Sequence, residues 1–446
     1  MPLMENKIYD FIAVGVGPFN LSLACLTAPI ENLDGLFFDK NESFNWHPGM
    51  LLQDTTLQIP FLADLVTLAD PTSQFSFLNY IKEQGKMYSF YIRENFLLLR
   101  NEYNQYCQWA IKKLPNVFFN TEVSMIEYDE NLGVYIVKTV CTKTAAVTFY
   151  KTKKLVFGTG TAPHIPKSCE ALKSKAIHSS AYIQSKEALQ KQKSITVLGS
   201  GQSAAEVFND LLQEIDVYGY QLNWITRSSR FFPMDYSKLT LEMTSPEYVD
   251  YFYSLPAEKR DYLLKDQKLL YKGINKDLIE TIFDTIYAKK VIAEIDVNLR
   301  TNAACIKADY DDDKESFELE LHQVEQDRKY RHTTNALVLA TGYGYKMPRF
   351  IEGITSRIQW DDKGRFDANR NYSIDKNGGE IFVQNAELHT HGFVTPDLGM
   401  VCYRNSYIIK EMTGVEHYAV ETKIAFQEFG VPASETIKSN AFEEIL

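Results

Sequence analysis

The chain has 446 residues, 45% of them hydrophobic, and its 47 Lys and Arg against 58 Asp and Glu give a formal charge of −11. This length allows two or three domains with large cores, and the acidic balance argues against binding to nucleic acid or to an anionic membrane surface. No apolar run approaches the roughly 20 residues that span a bilayer, and residues 1–10 lack the pattern of a signal peptide.

A strand, a glycine turn and a helix are predicted at the start of the chain. Residues 8–14 are rich in β-branched and aromatic side chains, which predicts a buried strand, and residues 21–26 predict a packed helix. Between them lie Gly15, Gly17 and Asn20, in the pattern Gly-x-Gly-x-x-Asn. The first glycine permits a tight turn, the second lets a pyrophosphate approach the backbone, and the helix N-terminus offers unpaired N–H groups.

A second predicted strand, residues 35–39, completes a βαβ unit. It ends in Asp39, at the position where a carboxylate binds a ribose hydroxyl in dinucleotide sites. Asn20 replaces the usual third glycine, so this motif alone also fits a glycine turn in an ordinary α/β unit. Residues 75–114 then predict helix and residues 117–157 predict strands.

The same plan returns after residue 190. A predicted strand, residues 194–198, leads into Gly199 and Gly201 and then into a helix, and the next strand, residues 222–227, ends in Arg227. The two glycine turns are too far apart for one βαβ unit, which indicates two nucleotide-binding domains. Arginine attracts a 2′-phosphate that a carboxylate would repel, so Arg227 favours NADPH over NADH. The alternative is an arginine that only faces solvent.

Four further segments complete the pattern. Residues 155–163 and 336–343 each predict a strand that ends in glycine, where the chain passes close to a dinucleotide. Residues 246–288 predict helix, and the acidic run 309–313 predicts a solvated hairpin turn.

The six cysteines are scattered without a CxxC pair. They indicate buried thiols in a reducing compartment, so we expect a cytoplasmic protein without a disulfide framework or a metal site.

In this order the motifs resemble those of the flavin-dependent N-hydroxylating monooxygenases of siderophore biosynthesis, the lysine/ornithine N-monooxygenase family. The segments that carry the resemblance are residues 10–21, 44–50, 57–58, 70–73, 199–204, 340–343 and 390–392. The resemblance implies an α/β fold with two Rossmann-like dinucleotide-binding domains, for FAD and NADPH, and a smaller, mainly helical substrate-binding region.

The predicted FAD-binding domain covers residues 1–185 and returns over residues 339–446, which also close the substrate site. Residues 186–338 are the predicted NADPH-binding domain, with the helical substrate region at about residues 235–290. From the resemblance we also expect a homo-oligomer, a tetramer or a dimer.

The resemblance implies cofactor contacts in both glycine turns and in a segment that lies along the flavin. The expected cofactor-binding residues are Gly15, Gly17, Pro18, Phe19, Asn20, Asp39, Trp46, His47, Met50, Gln58, Gly199, Gly201, Gln202, Ser203, Arg227, Thr341, Gly342 and Tyr343. The alternative for the segment of residues 46–58 is packing in the core.

In the family chemistry, NADPH reduces FAD, O2 adds to form a C4a-hydroperoxyflavin, and its distal oxygen passes to a neutral primary amine. Because the cofactor carries this reactivity, no side chain is assigned as acid or base. An alkyl ammonium has a pKa of roughly 10, so the site must desolvate the amine to keep it uncharged.

The expected substrate residues are Gln58, Ala63, Leu241 and Leu270. Amino-acid hydroxylases of this family carry Lys where Ala63 stands, and ornithine hydroxylases carry Asn where we align Leu241 and Leu270. A substrate carboxylate buried among these apolar side chains would lack a partner, at a cost of several kcal/mol. We therefore predict a diamine substrate, putrescine or cadaverine, whose N-hydroxylated product enters a hydroxamate siderophore.

Several alternatives stay open. Histamine also lacks a carboxylate, and lysine or ornithine would fit if another residue bound the carboxylate. The residue that receives the distal ammonium is not identified, although a Tyr ring is one choice. A flavoprotein disulfide reductase would need a redox cysteine pair. A Baeyer–Villiger or sulfur-oxidising monooxygenase, or a nucleotide-binding sensor without catalysis, would share the two-nucleotide plan.

Overall fold

A computed structural model of the chain describes residues 3–172 and 174–436. Its helices are α1 (Pro18–Thr27), α2 (Phe77–Glu83), α3 (Met87–Arg93), α4 (Arg100–Ile111), α5 (Tyr182–Gln190), α6 (Gln202–Gln213), α7 (Ile215–Tyr218), α8 (Lys238–Leu241), α9 (Pro246–Ser254), α10 (Ala257–Asp266), α11 (Leu269–Lys272), α12 (Lys276–Ile292), α13 (Leu388–His391) and α14 (Val401–Thr413). Its strands are β1 (Leu3–Val14), β2 (Gly35–Phe38), β3 (Thr56–Pro60), β4 (Leu97–Leu99), β5 (Val117–Phe118), β6 (Thr121–Asp129), β7 (Val134–Cys141), β8 (Val147–Phe157), β9 (Thr161–Pro163), β10 (Ile177–His178), β11 (Ser194–Leu198), β12 (Gln221–Ile225), β13 (Val297–Arg300), β14 (Ala303–Asp311), β15 (Ser316–Gln323), β16 (Arg328–Thr334), β17 (Ala336–Leu339), β18 (Tyr343–Tyr345) and β19 (Ile381–Val383).

The first glycine turn follows a strand in the middle of a seven-stranded sheet. Its order is β5-β2-β1-β8-β7-β6, and β19 also pairs with β8. β1 runs parallel to β2 and to β8. Alternate side chains of β1 enter two different cores: Phe11 and Ala13 pack toward α1 and α4, whereas Ile12 and Val14 pack on the opposite face. Both faces of this part of the sheet are therefore covered, which explains why residues 11–14 of β1 are all apolar and buried.

The second glycine turn follows β11 in a five-stranded parallel sheet of order β10-β17-β11-β12-β13. Ile195 and Val197 point into a core shared with α6 and α12. Leu198 lies in a different core, together with side chains of β14 and β15 from the three-stranded sheet β14-β15-β16. Two separate glycine turns on two α/β sheets confirm the predicted fold class.

The division into residues 1–185, 186–338 and 339–446 stays a prediction. The sheets show which strands belong together: β19, within the returning segment, joins the first sheet. β10, which precedes residue 186, joins the second sheet through β17.

The predicted helical stretch at residues 75–114 is divided into α2, α3 and α4, with β4 before α4. Gly85 follows α2 at φ +69° and Glu94 follows α3 at φ +48°, and left-handed residues end helices. The acidic run 309–313 does lie in a hairpin, but Asp309 and Asp311 belong to β14 itself. Within the described ranges, no helix has the length and the hydropathy to cross a bilayer.

Candidate functional site

The two glycine turns are built in the same way. The N–H of Gly15 donates to the Phe38 carbonyl at the end of β2, and that of Gly199 donates to the Ile225 carbonyl at the end of β12. A Cβ on Gly15 would lie 2.4 Å from the Gly158 oxygen, and one on Gly199 would lie 2.2 Å from the Ala340 oxygen. Each turn therefore needs glycine, because the end of the neighbouring strand in the sheet (β8 for Gly15 and β17 for Gly199) lies against it.

Asn20 explains why the first motif departs from a third glycine. Its buried amide donates to the Gly15 carbonyl at 2.7 Å, and its oxygen accepts from Gln384 Nε2 at 2.7 Å. A Cβ on Gly158 would lie 2.5 Å from Asn20 Nδ2. The side chain thus ties the turn to two neighbouring segments, so the asparagine strengthens the cradle.

Both helices that follow the turns present free N–H groups. α1 begins after Gly17 and α6 after Gly201, and in neither helix does an N-cap side chain accept a hydrogen bond from the N–H groups of the first turn. A Cβ on Gly17 would meet nothing within 4 Å, and one on Gly201 only the Lys272 oxygen at 3.7 Å. Uncapped helix N-termini beside open space fit the diphosphates of FAD and NADPH.

The remaining residues of the two motifs lie in the first helical turns. Pro18 occupies the start of α1, the Arg404 guanidinium stands 5.0 Å from the Phe19 ring, and Ser203 lies in the first turn of α6. Asp39 follows β2, and its Oδ2 accepts from the Val16 N–H at 2.8 Å. This bond holds the carboxylate beside the glycine turn, where a ribose would lie.

The segment predicted to lie along the flavin connects the two sheets. The Trp46 ring lies 5.0 Å from that of His47, and His47 lies 5.4 Å from the Tyr343 ring. Met50 is buried in the core of the second sheet, and a Cβ on Gly49 would lie 1.9 Å from the Ser180 oxygen. The segment is therefore clamped between the first sheet and the entry into the second.

His47 has a left-handed backbone, φ +50°, which turns its ring toward Tyr343. The surrounding protein desolvates the imidazole and, with the charge of Arg100, lowers its pKa to about 4, although the residue as a whole is exposed to solvent. The ring is neutral at pH 7, so it offers one donor and one acceptor to a ligand.

Gln58 and Gln202, predicted separately from distant segments, meet. Gln58 Nε2 donates to Gln202 Oε1 at 3.3 Å, and Gln202 Nε2 donates to Glu206 Oε1 at 2.8 Å. Glu206 in turn forms two 2.7 Å hydrogen bonds with Arg100 of α4. Sequence reasoning missed Arg100 and Glu206 because the residues of this ion pair are far apart in the chain and belong to no motif.

The crossing strands bring Thr341, Gly342 and Tyr343 to the same place. Thr341 Oγ1 donates to the His164 carbonyl, and β18 pairs with β9. The Gly342 carbonyl accepts from His178 Nε2 at 3.1 Å, while His178 Nδ1 accepts from the Ser180 N–H. These bonds hold together the two segments, after β8 and after β17, in which the chain passes from one sheet to the other.

Arg227 lines a cavity of about 520 Å³. The other lining residues are Asp261, Leu264, Lys265, Lys268, Tyr271 and Lys363. Asp261 already pairs with Lys363 and Arg365. Burial and the Arg227 charge lower the pKa of Lys268. The cavity therefore holds an excess of positive charge, which suits a phosphate dianion.

The predicted substrate residues lie on different elements. Ala63 is buried in the turn after β3, and Leu241 at the end of α8 is 46% exposed. Leu270 of α11 packs in a small core with Phe393 and Val394. Their role in binding substrate stays a prediction.

One carboxylate near Leu270 escaped the sequence reasoning. Asp397 follows Val394 in a loop, and its Oδ1 accepts from the Gly399 N–H at 2.7 Å. Burial raises its pKa against the opposing charge of Arg404, and no Lys or Arg of the described residues lies within ion-pair distance of it. The nearby Tyr236 hydroxyl is enclosed without a hydrogen-bond partner. The signal in the sequence is weak because a single Asp in a loop fits many roles.

Comparison with known proteins identifies relatives along nearly the whole chain. The family model described as L-lysine 6-monooxygenase/L-ornithine 5-monooxygenase matches residues 7–345. The putrescine N-hydroxylase of Shewanella oneidensis is 52% identical over 426 residues, which cover 96% of this chain and 85% of that protein. The putrescine N-hydroxylase of Acinetobacter baumannii is 44% identical, and the match covers 98% of this chain and 99% of that protein.

A solved structure shares the fold closely. The FAD-bound cadaverine monooxygenase DfoA of Erwinia amylovora, from the desferrioxamine biosynthetic pathway, superimposes with a TM-score of 0.94. The two chains are 56% identical, and the match covers 96% of this chain and 100% of the other.

Proposed function

Because the chain belongs to the L-lysine 6-monooxygenase/L-ornithine 5-monooxygenase family of flavin-dependent N-hydroxylating enzymes, we propose that it hydroxylates one amine of putrescine or cadaverine, with FAD and NADPH, for a hydroxamate siderophore. The observation that carries the proposal is the pair of uncapped helix N-termini, each of which follows a glycine turn. The choice of a diamine follows from Ala63, which stands where amino-acid hydroxylases carry a substrate-binding lysine. The names of the relatives support the choice of a diamine.

Each cofactor has a place among the residues described. The turn at Gly15, the N-terminus of α1 and Asp39 fit FAD, and the turn at Gly199, the N-terminus of α6 and Arg227 fit NADPH. When bound, reduced FAD activates dioxygen and supplies the oxygen atom that the amine receives. The chain binds both dinucleotides, holds the amine near the flavin and excludes water.

For the amine that does not react, we propose Asp397 as the partner. Its Oδ2 has no hydrogen-bond partner among the described residues, and the ammonium of a diamine would offset the cost of burying the carboxylate. The same negative charge would repel the carboxylate of ornithine or lysine. Asp397 and Ala63 thus act in the same direction on substrate choice.

The test is a comparison of amines with the purified FAD-loaded enzyme and NADPH. We expect hydroxylamine product from putrescine or cadaverine at a kcat/KM at least about tenfold above that for ornithine or lysine. This ratio corresponds to about 1.4 kcal/mol and is a lower bound, because a buried carboxylate without a partner costs several kcal/mol. Histamine is included because it also lacks a carboxylate. Product from ornithine or lysine alone would contradict the proposal, and NADPH oxidation without hydroxylamine would reject N-hydroxylation.

We propose that the protein is a homo-oligomer in which α12 contacts α12 of a second copy. Four apolar side chains of this helix are 67–86% exposed: Phe283, Tyr287, Val291 and Ile292. If two such helices run antiparallel about Tyr287, Asp284 faces Lys290 of the other copy, so the surface is complementary to itself. Light scattering should show an oligomer that Tyr287→Asp dissociates and that Val217→Asp, equally exposed on α7, does not. A monomeric wild type would contradict this.

A cytoplasmic location is proposed as well. All six cysteines are free thiols, as in a reducing compartment. Fractionation of expressing cells should recover the enzyme with cytoplasmic markers, and recovery in another fraction would reject this location.

A further inference from the structure

Two cysteines that are distant in the sequence meet behind the second glycine turn. Cys169 lies in the 3-10 turn Lys167–Leu172, which leads from the first sheet toward β10, and Cys305 lies in β14. Because they are far apart in the chain, they form no CxxC motif that the sequence would show. The two side chains pack in the same core, where their thiols interact, and the Ser168 hydroxyl stands 3.8 Å from Cys169 Sγ.

The pair lies in a core that supports the predicted NADPH site. Cys169 is fully buried and Cys305 half-buried among the side chains that join the second sheet to β14 and β15. The same core contains Leu198 and Leu339, each of which directly precedes a glycine-turn segment. The half-buried Cys305 gives a small oxidant access to the pair.

The surroundings also make the pair reactive. The neighbouring Cys305 thiol lowers the pKa of Cys169, whereas Cys169 and burial raise the pKa of Cys305, so Cys169 is the sulfur that loses its proton first. Of the other four cysteines, Cys25, Cys107 and Cys402 are buried and have raised pKa values. Hydrogen bonds with Thr144 lower the pKa of Cys141 as well, but Cys141 lies at the end of β7 in a different sheet from the pair. A thiolate beside a second thiol is the arrangement that oxidises to a disulfide.

We propose that Cys169 and Cys305 form a reversible disulfide when the enzyme meets hydrogen peroxide. One sulfur, as thiolate, takes an oxygen atom from the peroxide and becomes a sulfenic acid, and the first water leaves. The second sulfur then displaces that oxygen as a second water, so two thiols and one peroxide give one disulfide and two waters. This modification is independent of the identity of the amine substrate.

The bond would tie the segment that links the two sheets to β14. Because it closes a long loop, we expect it to restrict the unfolded chain and to raise the thermal midpoint by several degrees. A disulfide requires the two sulfur atoms to lie about 2.05 Å apart, so its formation moves the 3-10 turn relative to β14.

The test treats the FAD-loaded enzyme with hydrogen peroxide, blocks the remaining thiols and maps peptides without reduction. We expect one cross-linked peptide pair containing Cys169 and Cys305, the loss of two of the six thiols, and full recovery of both on treatment with dithiothreitol. The thermal midpoint should rise on oxidation and return on reduction.

The variants Cys169→Ser and Cys305→Ser should each abolish the cross-link, and Cys305→Ser should accumulate a sulfenic acid that dimedone traps at Cys169. Cys141→Ser is the matched control, since Cys141 is also half-buried, and it should oxidise like the wild type. Six unchanged thiols, a disulfide that involves another cysteine, or equal oxidation in Cys305→Ser would each overturn the proposal.

Discussion

Arg227 and Lys268 show how a single position acquires its meaning from its neighbours. The predicted strand ends at Arg227, whereas β12 ends at Ile225 and Arg227 lies two residues beyond it. The fold adds Lys268 from the helical region to the same cavity. Neither side chain has an acidic partner among the described ion pairs, so both are available to an anionic ligand.

We expect Arg227→Ala to raise the KM for NADPH about 10- to 100-fold, because a charge-assisted hydrogen bond contributes about 1.5–3 kcal/mol. Lys268→Met should act in the same direction, and the KM for NADH should change little in both variants. Calorimetry with 2′,5′-ADP and 5′-AMP separates phosphate binding from catalysis. Equal losses for both nucleotides would mean that these residues do not recognise the 2′-phosphate.

Asp397→Asn should raise the KM for putrescine about 10- to 100-fold while kcat at saturation falls less, because the lost contact binds the amine that does not react. Butylamine lacks the second ammonium, so the ratio of kcat/KM for putrescine to that for butylamine should decrease. Asp235→Asn, an exposed loop carboxylate, is the control and should leave this ratio unchanged. An unchanged ratio in Asp397→Asn would exclude the proposed contact.

At the scale of elements, α6 is held to the first sheet by one ion pair. Glu206 lies in the second turn of α6 and Arg100 begins α4, with side chains 3% and 15% exposed. Burial raises the pKa of Glu206 even though Arg100 opposes this effect. The pair also orients Gln202, which meets Gln58. It thereby sets the orientation of the second glycine turn relative to the first.

Glu206→Gln should lower the free energy of unfolding by about 3 kcal/mol, because it leaves the Arg100 charge buried without its partner. Urea unfolding measures this change, and NADP+ titration should show weaker binding. Glu42→Gln removes an exposed ion pair with Lys143 and should leave stability unchanged within error. If both variants lose the same stability, the Arg100–Glu206 pair has no special role.

The whole molecule buries several neutral histidines. Desolvation lowers the pKa of His178 and of His389, lowers that of His391 well below its usual range, and lowers that of His332 to about 4. In the unfolded chain these groups bind a proton below about pH 6.5. The unfolded state then holds more protons than the native state, so stability decreases as the pH falls.

We therefore expect the histidines to lower the free energy of unfolding below about pH 6.5, each by up to about 1.4 kcal/mol per pH unit. The raised pKa values of buried carboxyl groups such as Glu206 and Asp397 act in the opposite direction and offset part of this loss. Chemical unfolding at pH 7.5, 6.5 and 5.5 measures the slope. His332→Asn should reduce it, since the native imidazole of His332 stays neutral until about pH 4. A stability that is flat between pH 7.5 and 5.5 would contradict this account.

The two βαβ units and their glycine turns can be predicted from the order of the residues alone. Gly15, Gly199 and Asp39 are local signals, because strand, turn and helix follow one another within a few residues. The break of the helical stretch at Glu94 was not predictable in this way, since a non-glycine residue in a left-handed conformation carries no clear sequence signal.

Contacts between distant residues depend on the packing of the two sheets and are not encoded in local spacing. Gln58 with Gln202, Arg100 with Glu206, and Cys169 with Cys305 each join segments that are far apart in the chain. The physical reason is that spacing encodes contacts within one helix, strand or turn, whereas these pairs depend on how two separate sheets pack. The sequence shows that two dinucleotide cradles exist, and the packing sets which side chains stand between them.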